Sequence, residues 1–295
     1  MALPTTIWYI LFCFLPMFGL IIAFKNYKIT GGKSFIYNLL HSDWAGFKNF
    51  SFLIRSNDLF VILRNTILYN LAFIVLGMVF SVGLAIMISL MRNKRASKVY
   101  QTMMFFPYFM SWVVASYFLD AFLNQDNGLI NSIMRNAGKE PIQWYMSAGV
   151  WPFILIFMYL WKSTGYNMVI YLSSISGIDT TLYEAAVMDG ANKRQQVWHI
   201  TLPCLKSVII MMFILNVGKV FYSDFGLFFQ LSQGASGSIF KTTATIDTYV
   251  YNALQSSTPI GMTSAATFFQ SVACCITILL ANAIVKKIDE DSAII

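Results

Sequence analysis

Residues 177–203 read Gly177-Ile178-Asp179-Thr180-Thr181-Leu182-Tyr183-Glu184-Ala185-Ala186-Val187-Met188-Asp189-Gly190-Ala191-Asn192-Lys193-Arg194-Gln195-Gln196-Val197-Trp198-His199-Ile200-Thr201-Leu202-Pro203. Asp179 or Thr180 can cap a helix that carries Glu184 and the alanines at good helix-forming positions. Gly190 is a natural stop, because only glycine enters the left-handed region freely. A second short helix is expected over about Lys193 to Ile200, before Leu202-Pro203 opens the next apolar stretch. Glu184 and Asp189 sit among small alanines, which suits close docking to a protein better than to anionic lipid.

On either side of this loop the chain is apolar enough to cross a bilayer, which takes about 20 residues. Segments at roughly 149–173 and 204–226 flank it, and others run over 7–24, 61–91, 101–122 and 262–285. These predict an all-α, polytopic membrane protein with six transmembrane helices and a helical loop outside the bilayer. Composition agrees: 57% of the 295 residues are hydrophobic and 11% charged, against about 25% charged in soluble domains. A mean hydropathy of +0.63 excludes a disordered chain or a nucleic-acid-binding domain, so the net charge of +7 is not read as a polyanion surface. The first segment lacks a basic n-region and a small-x-small cleavage site and carries Pro16 and Gly19. It therefore reads as a retained span rather than a signal peptide. It also starts abruptly, which leaves room for native residues upstream.

Cys13, Cys204, Cys274 and Cys275 fall in apolar stretches without metal-ligand spacing, and are expected to be small buried hydrophobes rather than a disulfide or metal set. His41 and His199 have no acidic or thiol companions nearby. Lysines and arginines divide equally between the two sides of the predicted bundle. Arg92, Lys94, Arg95, Lys98, Lys193, Arg194, Lys286 and Lys287 lie on one side; Lys25, Lys28, Lys33, Lys48, Arg55, Arg135, Lys139 and Lys241 lie on the other. The dense cluster at 92–98 tips the balance, placing both termini and the second and fourth loops in the cytoplasm.

The order Glu184-Ala185-Ala186, Asp189-Gly190-Ala191, Ile200-Thr201-Leu202-Pro203 resembles the EAA loop of bacterial ABC-importer permeases: EAA, three residues, G, nine residues, I-x-L-P. Further stretches resemble the maltose-type, carbohydrate-uptake branch. They include Asn65-Thr66, Phe106-Pro107-Tyr108, Asn124-Gln125, Gly128-Leu129-Ile130-Asn131, Leu231-Ser232-Gln233-Gly234, Thr245 to Tyr251, and Gly261-Met262 with Ala265-Ala266. Gly19 through Tyr27, Ile170-Tyr171-Leu172 and Gly177-Ile178-Asp179 look closest to permeases for polysaccharide and aldouronate-type oligosaccharides. The resemblance implies a type I importer permease: a single permease domain over 1–295 with the cytoplasmic coupling loop at 177–203, in a bacterial inner membrane. The implied partners are a second, different permease chain, a cytoplasmic ATPase dimer and an extracytoplasmic sugar-binding protein. ATP and magnesium would be bound by the ATPase and no cofactor by this chain. Glu184, Ala185, Ala186, Asp189 and Gly190 would couple ATP-driven closure to the spans.

Polar residues at membrane depth point to function. Asn216, Lys219 and Ser223 recur at helical spacing in the fifth segment, and against the maltose-type permease they match sugar-contacting positions. Tyr108 and Trp112 in the third segment, and Lys162 with Ser163 beside Trp161 in the fourth, add rings that stack on sugar faces and polar groups that bond hydroxyls. A central lysine costs roughly 2.5–3.5 kcal/mol on insertion scales, so Lys162 and Lys219 need a partner or a wet cavity. Two cations would hold an acidic oligosaccharide, such as an alginate or aldouronate fragment. The alternatives are pairing with Asp224 or with an acidic residue of the partner, and a neutral-sugar passage.

A secondary transporter would show internal repeats and no EAA loop. A membrane-embedded enzyme would need clustered carboxylates, a Ser/His pair or paired His ligands, whereas the 13 acidic residues are scattered. With no G-x-x-x-x-G-K-[ST] pattern either, the chain is expected not to be an enzyme.

Overall fold

The computed structural model describes residues 3–51, 58–235, 237–256 and 258–288; Arg55 of the charge count lies outside them. Among the described residues, five helices are long and apolar enough to cross a membrane: Leu3–Phe24, Leu59–Ser89, Ala148–Ser176, Lys193–Val217 and Ile260–Lys287. A sixth crossing is made by two helices, Lys94–Phe109 and Trp112–Leu123, bent by 99° where they meet. They are called the first to sixth spans in chain order, the bent pair being the third.

The third span corrects the expectation of one helix over 101–122. Asn93 starts it early by accepting from the backbone N–H groups of Arg95 and Ala96. Pro107 then brings no N–H to the ladder, the chain tightens into a 3-10 turn over Phe106–Phe109, and Ser111 caps a new helix through Val114 N–H. The fifth span is also corrected. The helix that follows Gly190 does not stop before the membrane but runs from Lys193 to Val217. A π-turn over Val197–Thr201 shifts the bonding, Leu202 N–H reaching back to Val197, so Pro203 enters without a break. Its far end comes sooner than expected, at Val217, beside Gly218, where an added Cβ would lie 2.8 Å from Ile278 Cδ1.

Packing is centred on the second and fourth spans. One cluster, away from the 177–203 loop, joins Tyr69, Phe73, Ala115, Trp151, Leu155, Leu227, Phe228 and Leu231. Another, towards that loop, joins Val82, Ala85, Met168, Tyr171, Ile175 and Leu205. Many large apolar side chains stay exposed on the outside, Phe153 by 75% and Phe157 by 65%; lipid is as apolar as they are and gives no drive to bury them. For the same reason Cys204 and Cys275 are exposed and Cys13 is half-buried; of the four cysteines only Cys274 is buried as expected. The spans approach closely at small residues. A Cβ on Gly165 would fall 1.8 Å from Met104 O, so the fourth span meets the backbone of the third directly.

Between the fifth and sixth spans, residues 218–235 and 237–256 include short helices, among them Phe225–Leu231 and Ile246–Gln255. The breaks expose backbone groups that lipid cannot satisfy. One face of the second span supplies the partners. Asn65 Nδ2 donates to Ala244 O at 2.9 Å, Tyr69 to Thr242 O at 2.6 Å, and Asn70 Nδ2 to Val220 O at 3.0 Å and Tyr222 O at 2.8 Å. Thr66 Oγ1 accepts Ile246 N–H at 3.0 Å. A two-stranded antiparallel ladder pairs Lys25–Asn26 with Asp43–Trp44.

Candidate functional site: a docking loop and a broken-span passage

The loop is built as two capped helices. Asp179 Oδ1 accepts Thr181 N–H at 2.9 Å and starts Thr180–Met188; the bond holds its carboxyl below the usual carboxylate range. Gly190, at φ +79, ends it: Ala191 N–H bonds to Ala186 O at 2.8 Å and Gly190 N–H to Val187 O at 3.0 Å. Asn192 and Gln195 form a reciprocal capping box that opens the fifth span. Two groups missed in the sequence pin the loop to that span. Tyr183 OH meets Thr201 Oγ1 at 2.9 Å, and Gln196, 2% exposed, donates to Ala191 O at 3.1 Å. Thr201 stands in the I-x-L-P element, which was the signal available. Glu184, Ala185, Asp189 and Gly190 are exposed and Ala186 is half-buried. Beside them Val187 and Met188 project apolar surface, Met188 by 87%.

The second cluster lies where the third span breaks. Lys162 Nζ donates to Tyr108 O at 2.8 Å and stands 5.2 Å from the centroids of both the Tyr108 and Trp112 rings. The carbonyl is freed by the break, and the ring faces favour the cation. Trp112 Nε1 donates to Asp224 Oδ2 at 2.8 Å, while Asp224 Oδ1 caps the helix Phe225–Leu231 through Leu227 N–H. Gly226 makes room for the indole: a Cβ there would sit 2.4 Å from Trp112 Cδ1. Tyr166, one turn beyond Lys162, stacks on Tyr108 with centroids 4.4 Å apart. Lys162 thus meets Asp224 through Trp112 and, among the described residues, makes no ion pair of its own. Ser163 is half-buried, one turn from Tyr159 on the fourth span.

Asn216, Lys219 and Ser223 do not share a helix face as expected, because the helix stops at Val217. Asn216 is exposed, donates to Met212 O and lines a small cavity of about 20 Å³ with Tyr159 and Asn167, enough for one water. Lys219 is exposed and its ammonium has no partner among the described residues. Ser223 is committed elsewhere: its N–H and Oγ both reach Asp247 Oδ2 at 2.7 Å, and Gln270 Nε2 donates to the same carboxylate at 3.1 Å. His41 stacks on Tyr37, and no group of metal-ligating side chains occurs among the described residues.

A many-helix membrane bundle with a capped loop projecting at one end, and polar groups gathered at broken spans, defines a transport permease. The chain belongs to the binding-protein-dependent transport system inner membrane component family, whose model matches residues 77–290. It is 32% identical over 291 residues to the polygalacturonan/rhamnogalacturonan transport system permease protein YteP of Bacillus subtilis, covering 99% of this chain and 88% of that one. It is 31% identical to Protein LplB of the same organism, covering 99% and 89%. Among solved structures it is similar to a bacterial ABC transporter involved in importing the acidic polysaccharide alginate, with a TM-score of 0.85 and 27% identity over 97% of this chain and 94% of that one. The family works in transport, and the chain is not an enzyme.

Proposed function

We propose that this chain is one of two permease subunits of an ATP-driven importer for acidic, uronate-containing oligosaccharides. It forms half of the pore in the inner membrane of a bacterium, with both termini in the cytoplasm. Loop 177–203 docks on a cytoplasmic ATPase dimer, which binds the ATP and magnesium, through Glu184, Ala185, Ala186, Asp189 and Gly190. An extracytoplasmic binding protein hands over the sugar at the opposite end, and a second, different permease chain completes the pore. Tyr108, Trp112, Lys162, Ser163, Asn216 and Lys219 contact the passing sugar; Ser223 acts through Asp247.

The single observation that carries the acidic substrate is Lys219, an exposed cation without a described anionic partner beside a break in the fifth span. Such a charge is costly at membrane depth unless a wet path and an anion meet it. Relatives named for polygalacturonan and alginate point the same way. The test is uptake of an oligogalacturonate and of its carboxyl-reduced, neutral counterpart by the reconstituted importer. Lys219→Met raises the half-saturation concentration for the acidic sugar alone; unchanged acidic uptake refutes the reading. A neutral-sugar importer is the second reading, favoured at the third-span break because Asp224 sits beside the Lys162 cluster and offsets its charge.

A further inference from the structure

At the end of the bundle away from the 177–203 loop, a cavity of about 410 Å³ opens between the second half of the third span and the end of helix Phe225–Leu231. That volume lies within the roughly 300–1,000 Å³ of small-molecule sites. Its walls bring Asp120, Gln230 and Gln233 together with Tyr117, Tyr145 and Phe229. The polar groups converge. Asp120, Tyr145 and Gln233 line the cavity together, and Asp120 Oδ2 accepts from Asn124 Nδ2 at 3.3 Å. Tyr117 leaves 73% of its surface uncovered at the rim.

Backbone strain marks the same place. Among the described residues, Gln233 and Ala235 are the non-glycine residues at positive φ, +53 and +50. A residue held there is strained and persists only where its surroundings enforce it. They do: Gly234 N–H bonds to Phe229 O at 2.8 Å, Asn252 Nδ2 to Gly234 O at 2.9 Å, and Ala235 N–H to Ser232 Oγ at 2.9 Å. The Leu231-Ser232-Gln233-Gly234 stretch therefore holds Gln233 in the cavity wall with Asp120 and Tyr145.

We propose that this cavity is an entry subsite that binds the hydroxyl face of one sugar ring of the incoming oligosaccharide. The subsite rests on the importer reading above but uses different residues and a different chemistry. Hydroxyls donate to the Asp120 carboxylate and exchange bonds with the two amides, and an exposed ring offers a stacking face. A substrate carboxylate would be repelled by Asp120, so the subsite reads hydroxyls and is indifferent to whether the oligosaccharide carries acid groups elsewhere.

The test is calorimetric binding of an oligogalacturonate and of its carboxyl-reduced form to the complete importer complex in lipid nanodiscs. Gln233→Gly deletes the amide while relieving the positive φ, so it does not endanger folding; Asp120→Asn removes the charge and keeps an acceptor for Asn124. Gln233→Gly is expected to weaken binding of both sugars about tenfold, the order of one or two lost hydrogen bonds. Asp120→Asn, which trades a charged acceptor for a neutral one, is expected to weaken binding of both sugars as well. A wild-type complex that binds either sugar and a Gln233→Gly complex that binds it equally overturn the subsite and leave the importer standing. A wild-type complex that binds neither sugar overturns both.

Discussion

The ammonium of Lys162 lies 2.8 Å from the main-chain carbonyl of Tyr108, at the point where the third span turns by 99°. The lysine therefore has a structural task, satisfying a carbonyl that a broken helix leaves open, as well as a place beside two aromatic faces. Magnitudes separate the two. Removing the cation relieves roughly 2.5–3.5 kcal/mol of insertion cost, while the abandoned carbonyl costs about 1–3 kcal/mol. Lys162→Met is thus expected to lower apparent stability in detergent by no more than about 0.5 kcal/mol. Loss of a sugar-facing lysine would still lower uptake; a midpoint that collapses in thermal denaturation would show that the bond to Tyr108 dominates.

The Gly165 contact is not negotiable, since the atom a Cβ would strike is backbone. Gly165→Val is expected to separate the third and fourth spans and abolish a monodisperse peak in size-exclusion chromatography. Gly149→Val, where nothing stands within 4 Å of an added Cβ, should elute as wild type.

Asp247 gathers three donor groups, Ser223 N–H, Ser223 Oγ and Gln270 Nε2, and so ties the end of the fifth span to the sixth. Asp247→Leu strands the Ser223 N–H, at about 1–3 kcal/mol for an unmet buried group, while Ser223 Oγ keeps Thr245 Oγ1 and Gln270 Nε2 keeps Phe221 O. The expected result is a thermal midpoint lowered well beyond that of Asp247→Asn, which keeps one acceptor. Equal midpoints would refute the tie.

Helix Thr180–Met188 should fray in acid. The Asp179 carboxyl is held below its ordinary value by the Thr181 N–H it accepts, so the folded state favours the ionised form. Its contribution is present above the unfolded value of about 3.9 and is lost as pH falls through the lower folded value. Amide exchange at Thr181 and Leu182 should accelerate in that window in the wild type. In Asp179→Asn, which caps without charge, it should not.

The third-span break and the foldback after Val217 were not legible in the residues, because hydropathy is indifferent to helix direction. Pro107 was visible, yet a proline in an apolar run signals a kink as readily as a 99° turn. What decides is whether neighbours satisfy the freed groups, and they come from far along the chain: Lys162 for Tyr108, and Asn70 for Val220 and Tyr222. The periodicity of Asn216, Lys219 and Ser223 misled for the same reason, since a spacing has meaning only while the helix lasts.

By itself the sequence determined the membrane class, the segments available to cross, and the capped loop with its turn at Gly190, because these follow from local composition, capping chemistry and one residue's φ freedom. Only the tertiary structure decided that the third crossing is two helices, that Ser223 belongs to Asp247, that Trp112 reaches Asp224, and that Asp120, Tyr145 and Gln233 share a cavity. In lipid every backbone polar group must find an internal partner, and which partner it finds is settled by the packing of distant spans.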